Sequence, residues 1–202
     1  MNQPLLRPAL SLFAVLSLVT GLAYPLATTG LAQLTMPAQA HGSLVFNAQG
    51  QPIGSELIGQ SFTDPQYFWG RPSATSPTPY NASLSGGSNL GPLNPALVEA
   101  VKARIQALRA TDPGSSARVP ADLVTTSASG LDPHISVAAA RYQAARVARL
   151  RQRPLDQVQA LIQQHSEGAW LGLLGEPRVN VLALNRALDG APEAPAKHPV
   201  SH

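Results

Sequence analysis

The stretch that decides how this chain is built is Ala9-Leu-Ser-Leu-Phe-Ala-Val-Leu-Ser-Leu-Val-Thr-Gly-Leu-Ala-Tyr-Pro-Leu-Ala-Thr-Thr-Gly-Leu-Ala32, preceded by Arg7 and followed by no formal charge until Glu56. Its polar members are hydroxyls only: Ser11, Ser17, Thr20, Tyr24, Thr28 and Thr29. A bilayer core about 30 Å thick needs about 20 helical residues, whereas the apolar core of a secretory signal is about 7–15. The run is therefore read as a transmembrane helix over 9–32 that stays attached. A competing reading is a secreted binding module or hydrolase released after Ala40, because Ala38-Gln39-Ala40 fits a small-x-small cleavage pattern. Roughly ten residues separate the end of the apolar core at Leu31 from that site, farther than signal peptidase works. Gly21, Pro25 and Gly30 are expected to loosen or kink the helix. Such residues are tolerated where a neighbouring helix packs close and re-satisfies the backbone.

Orientation follows from basic residues near the span, and here they lie only before it. Residues 1–8 are placed in the cytoplasm, 33–189 outside the cytoplasmic membrane as one domain, and 190–202 as a disordered Ala/Pro/Glu/Lys/His tail. Of 202 residues, 44% are hydrophobic and 12% charged, which excludes large-scale disorder and leaves room for one folded domain beyond the span. The absence of cysteine excludes a disulfide framework, a thiolate zinc site and a cysteine nucleophile. A net charge of +3, with only one short arginine-rich stretch approaching a basic face, argues against nucleic acid as a partner.

Along the external part, Ser43–Phe46 and Gln51–Ile58 read as two short strands around the Asn47–Gly50 turn. Asp64-Pro65 starts a short helical turn carrying Tyr67, Phe68 and Trp69, an aromatic cluster assigned to the core. Residues 70–92 are rich in Gly, Ser, Pro, Thr and Asn and too long for an ordinary connector, so they form either an ordered functional loop or a disordered one. Asn94 caps a helix with Pro95 at its first position, and Leu97, Val101, Ile105 and Leu108 repeat along one face to about Ala110. Val119–Thr126, alternating weakly, reads as a strand. Ser136 caps a second helix, Val137–Arg151, and Pro154 opens a third to about His165. Leu171, Leu173 and Leu174 fall between glycines, and Val179–Leu188 is a short helix or strand. The fold class is α+β: one N-terminal transmembrane helix, then a single mixed α/β extracytoplasmic domain.

Three constellations stand out. Ser85-Gly86-Gly87-Ser88-Asn89 either cradles an anion through backbone N–H groups or is a tight structural loop, and it lacks the Gly-Lys-Ser/Thr ending of a phosphate-binding loop. Arg141, Arg146, Arg149, Arg151 and Arg153 lie on one helix and its end, with Arg146, Arg149 and Arg153 on a shared face. That face is either solvated or turned to an anionic partner such as lipid phosphate. Asp132-Pro133-His134 pairs a carboxylate with a histidine, but no nucleophile accompanies it and no catalytic residue is assigned. His41, His165, His198 and His202 have no metal-binding spacing, and no metal site is assigned.

Taken together, several stretches resemble one family. They are Leu6-Arg-Pro-Ala-Leu10 with Thr20-Gly-Leu-Ala-Tyr-Pro-Leu26; Gly54-Ser-Glu-Leu-Ile-Gly-Gln60; Phe62-Thr-Asp64, Tyr67-Phe68 and Gly70-Arg-Pro-Ser-Ala-Thr75; Pro79-Tyr-Asn81; Ser85-Gly-Gly-Ser-Asn-Leu90; Asp122-Leu-Val-Thr125 with Ser127-Ala-Ser-Gly-Leu-Asp132; and Gly175-Glu-Pro-Arg-Val-Asn-Val-Leu182 with Leu184-Asn185 and Ala187-Leu-Asp189. Spread from Leu6 to Asp189, they are similar to KdpC, the single-span accessory subunits of bacterial Kdp potassium-importing P-type ATPases. The resemblance implies three partner subunits: a channel-like potassium-binding one, a P-type ATP-hydrolysing one and a very small single-span one. ATP and magnesium would sit on the hydrolysing partner and potassium on the channel-like one, with no cofactor on this chain. It also implies a noncatalytic chaperone that raises ATP affinity, with Gln143 at the nucleotide. Arg71, Pro72 and residues 85–89 are read as either an interaction loop or a structural one. The topology read from charge puts the domain where cytosolic ATP does not reach, and favours docking over the entrance of the channel-like subunit. Trp69 stands where the family often has His before Gly-Arg-Pro, and Ala144-Ala145 where an apolar residue and proline are usual.

Overall fold

The computed structural model describes residues 5–169 and 175–190. The expectations for Leu171, Leu173 and Leu174, for residues 1–4 and for the tail beyond Gly190 lie outside these residues. The chain divides into two compact units, Met1–Leu44 and Val45–His202.

In the first unit, α1 (Leu6–Leu18), a π turn (Val19–Ala23) and α2 (Tyr24–Thr35) form one continuous helix of 30 residues. At 1.5 Å per residue it is about 45 Å long, more than a bilayer core requires. It runs three residues past the apolar run at either end. Pro25 has no N–H to give the preceding turn, and the helix responds by widening into the π turn around Gly21 rather than breaking. The Thr20, Thr28 and Thr35 hydroxyls donate back to Leu16 O, Tyr24 O and Leu31 O at 2.8–2.9 Å, so these three polar groups are satisfied within the helix itself. No residue of α1 or α2 is buried. A one-turn helix α3 (Pro37–Ala40) follows.

The second unit is built around α5. Strands β1 (Leu44–Phe46) and β2 (Pro52–Ser55) pair as the expected hairpin, and α4 (Pro95–Thr111) is capped by Asn94, whose Oδ1 accepts from Ala96 N. Next come β3 (His134–Ser136), α5 (Val137–Leu150), α6 (Leu155–Gln164), β4 (Ser166–Glu167), β5 (Arg178–Asn180) and α7 (Val181–Leu188). β5 lies between β3 and β4 in an antiparallel three-stranded sheet, with Val179 opposite both Ile135 and Ser166. Ser136 Oγ accepts from Ala139 N at 3.0 Å to start α5, and Asn180 Oδ1 accepts from Ala183 N at 3.1 Å to start α7. Each cap is the last residue of a strand, so the chain turns from sheet to helix without a loop. Val179–Leu188 is thus both of the forms expected: strand first, then helix.

The core gathers Phe68, Ile135, Val147, Val158, Ile162, Val179, Leu184 and Leu188 around the alanine face of α5 (Ala139, Ala140, Ala144, Ala148). Small side chains there let α6 and the sheet approach the α5 backbone closely, and large ones from the neighbours fill the gaps.

One expectation is corrected. Val119–Thr126 is not a strand. It makes a 3-10 turn, Ala121–Leu123, whose last residue Leu123 and the following Val124 are both buried. Its tie to the sheet is a side chain: Asp122 Oδ2 accepts the Ser136 N–H at 2.7 Å, while Thr125 Oγ1 and N both bond Ala121 O. Asp64-Pro65 starts a single turn, as expected, closed by Tyr67 N donating to Asp64 O and Gln66 N to Asp64 Oδ1. Of its aromatics, Phe68 is fully buried, whereas Tyr67 and Trp69 are half-buried at the edge of the core.

Candidate functional site

Residues 70–92 form an ordered loop, held by hydrogen bonds to residues 126–132 rather than by an apolar interior. Arg71 donates from Nη1 to Asp132 Oδ2 at 3.0 Å and from Nη2 to Thr126 O at 3.2 Å. Ser73 Oγ donates to Gly130 O at 2.7 Å and accepts from Tyr80 N at 2.9 Å. The Tyr80 hydroxyl donates to Arg71 O at 2.5 Å, and Thr75 Oγ1 donates to Thr78 O while accepting from Asn81 N. The Ser-Gly-Gly-Ser stretch closes the other side: Gly86 N and Ser85 Oγ donate to Ser129 O, and Thr126 Oγ1 donates to Ser88 Oγ. Ser73 and Thr75 each use a short hydroxyl side chain to bridge two backbone groups.

Close approach is what the glycines here supply. Gly130 sits at φ +67°, and a Cβ on it would lie 2.7 Å from Gly86 O. A Cβ on Gly59 would run into the Tyr80 ring and lie 2.7 Å from Asp132 O. Gly86, to which the sequence drew attention, has open space instead.

Asp132 is the electrostatic centre. Burial alone would raise its pKa, but the hydrogen bonds from the His134 side chain and backbone and from Arg71 outweigh it and hold the carboxyl at about 2. Tyr80 is pushed up to about 12, first by burial and then by the Asp132 charge, so it remains a donor at any physiological pH. Beside this network lies a cleft of about 500 Å³ lined by Arg71, Asp122, Asp132, His134, Glu167 and Arg178 among others, in which both signs of charge alternate. Among the described residues no group of three or more His, Asp or Glu is placed to hold a metal ion.

The arginine helix differs from the face drawn in sequence. Arg146 is 2% exposed: its guanidinium lies over the Trp69 ring at 4.9 Å, Nη2 donates to Gln143 Oε1 at 2.7 Å and Nη1 donates to Pro65 O. Burial lowers its pKa to about 10, still leaving it charged at neutral pH. It presents nothing to an anionic partner, because its donors are turned inward to the aromatic segment. Arg149 pairs with Asp112 at 2.8 Å, and Arg151 pairs with Asp189 at 2.6 Å while lying over the Tyr67 ring. Arg141 is exposed and Arg153 partly so. Gln143, 1% exposed, has its amide engaged on both ends: Oε1 accepts from Trp69 N at 2.9 Å and from Arg146, and Nε2 donates to Trp69 O at 3.1 Å. Arg71 and residues 85–88 do come together around 126–132, whereas Gln143 and Arg146 lie at the aromatic segment before the loop. Sequence reasoning passed over the roles of Ser73, Tyr80 and Asp112. The Pro-Tyr-Asn triplet was the available signal for Tyr80, while Asp112 looked like the end of a helix and nothing more.

These features define a class: a single apolar helix of membrane length joined to a small α+β domain, whose distinctive motifs build a stapled polar loop. The family model described as KdpC, K+-transporting ATPase, c chain, matches residues 6–190. The chain belongs to the KdpC family. It is 71% identical to the potassium-transporting ATPase KdpC subunit of Polaromonas naphthalenivorans (strain CJ2) over 92% of this chain and 94% of that one. It is 68% identical to the protein of the same description from Variovorax paradoxus (strain S110), over 94% of this chain and 97% of the relative.

Proposed function

We propose that this chain is the membrane-anchored accessory subunit of a high-affinity, ATP-driven potassium import pump in the bacterial inner membrane. The match to the KdpC family over residues 6–190 carries this reading. The apolar helix Leu6–Thr35 supports it, since a subunit tethered by one span stays beside its partners in the bilayer. Its partners on this reading are the channel-like potassium-binding subunit, the P-type ATP-hydrolysing subunit and the small single-span subunit. Potassium belongs to the first of these, and ATP with magnesium to the second. Residues 1–8 lie in the cytoplasm and 33–189 outside, following the basic residue ahead of the span.

On this topology the domain acts by docking rather than by chemistry. The stapled loop, with Arg71, Pro72 and residues 85–89, is the surface offered to the channel-like subunit: a loop held by some dozen hydrogen bonds loses little entropy on binding. Any effect on ATP affinity is then transmitted through the partners.

The test is mass spectrometry of what co-purifies with a C-terminally tagged chain from potassium-starved membranes in mild detergent. Recovery of a P-type ATPase and a channel-like protein, with this chain intact from its first residues, is the expected result. A lone chain beginning at His41 would overturn the anchored-subunit reading in favour of cleavage after Ala40.

A further inference from the structure

Phe68 and Trp69 are consecutive residues, and each has its backbone N–H and C=O bonded by one buried carboxamide. Asn185 Oδ1 accepts from Phe68 N at 2.9 Å and its Nδ2 donates to Phe68 O at 3.0 Å. Gln143 does the same for Trp69, at 2.9 and 3.1 Å. The two amides come from different helices, Asn185 from α7 and Gln143 from α5, so the segment is gripped from two elements of the core. A primary amide carries one donor and one acceptor in the spacing of a peptide unit, and each of these completes a two-bond pairing as a neighbouring strand would. Both side chains are 1% exposed. Arg146 closes the Gln143 side, bonding Oε1 and covering the Trp69 ring. Two residues beyond Trp69 comes Arg71, whose guanidinium opens the stapled loop.

We infer that Gln143 and Asn185 are a pair of positioning residues, a two-sided carboxamide clamp that fixes where the 70–92 loop leaves the core. This inference rests on the pump-subunit reading for its functional consequence and on the geometry alone for the clamp. Gln143 then acts through the Trp69 backbone and not by touching nucleotide, and Asn185, which no nucleotide argument involves, is its equal. A clamp ties the two together: loss of either jaw frees the same segment.

The experiment uses the full-length chain carrying Trp170→Phe, which leaves Trp69 the sole tryptophan. It is examined both alone in detergent and in the reconstituted pump. Gln143→Ala and Asn185→Ala are each expected to red-shift Trp69 emission. Each is also expected to lower the maximal potassium-stimulated ATPase rate by about fivefold, with the KM for ATP within about twofold of the parent. Gln143→Glu and Asn185→Asp keep the acceptor for the backbone N–H and lose the donor to the C=O. They are expected to give a smaller shift in the same direction, and they carry the test if the alanine variants do not fold. Unchanged emission in variants at either position overturns the clamp. So does a KM for ATP that rises severalfold for Gln143 variants alone, which would place Gln143 at the nucleotide. Should the parent chain fail to support potassium-stimulated ATPase activity, the pump reading falls, and the emission of the isolated chain still decides the clamp.

Discussion

Helix Leu6–Thr35 and helix α5 have opposite relations to their surroundings. The first buries none of its side chains, with Leu18 60% and Leu34 84% exposed, while α5 buries seven of its fourteen, including a glutamine and an arginine. An apolar helix with no protein against it takes its stability from a bilayer, and needs only length and hydrophobicity. A helix inside a small folded core needs shape and complete hydrogen bonding, which is why the buried Gln143 and Arg146 of α5 each have named partners among its alanines.

That contrast is broken most severely by Leu184→Ala. Leu184 is fully buried on α7, and its truncation is expected to cost about 3–4 kcal/mol of domain stability. Denaturant unfolding followed by circular dichroism is the check, with membrane fractionation unchanged. The complementary change, Leu18→Arg, is expected to cost about 3 kcal/mol of membrane insertion while leaving the unfolding of the domain as it was. Release of the chain by alkaline extraction of membranes measures it; retention at the level of the parent would mean that the helix does not need the bilayer.

A smaller effect sharpens the picture of the loop. Gly130→Ala, at positive φ and against Gly86 O, is expected to lower stability by about 2 kcal/mol, whereas Gly86→Ala, into open space, is expected to change it by less than about 0.5 kcal/mol. Equal thermal midpoints for the two variants would show that the staple is not where the loop is held.

Asp132 makes the pH dependence specific. Its folded pKa of about 2 lies below the ordinary value of 3.8, so its contribution is fully present above pH 3.8 and is lost as pH falls through about 2. Asp132→Asn is expected to flatten the acid limb of the stability curve in that window, as read from thermal midpoints between pH 5 and pH 2. The least effect is expected from Arg141→Gln on the exposed side of α5, within about 0.5 kcal/mol of the parent.

How much of this was legible in sequence varies by element. The three helix starts at Asn94, Ser136 and Pro154 could be read because a cap or a proline acts within a few residues of itself. The hairpin at Asn47–Gly50 was legible for the same reason, and so was the family, whose motifs run along the whole chain. Val119–Thr126 was misread because its β-branched residues fit a strand, while the bond that shapes it joins Asp122 to Ser136, fourteen residues on. Arg146 was misread because helical periodicity puts it beside Arg149 and Arg153, and periodicity is blind to Trp69 and Pro65 waiting on the inner side of that face. The loop left two readings open because Gly, Ser and Thr serve equally in disordered segments and in tight hydroxyl staples.

By itself, the sequence determined the membrane-length helix, the α+β character, the helix caps and the family, because each depends on local pattern or on residues recurring in order along the chain. Only the tertiary structure decided that the polar loop is ordered, that Asp132 is its electrostatic centre, and that Gln143 and Arg146 face inward. Those depend on pairs far apart in the chain, Arg71 with Asp132 across 61 positions and Trp69 with Gln143 across 74. Which distant groups meet is settled by packing, where a buried donor must find its acceptor wherever the fold has placed it.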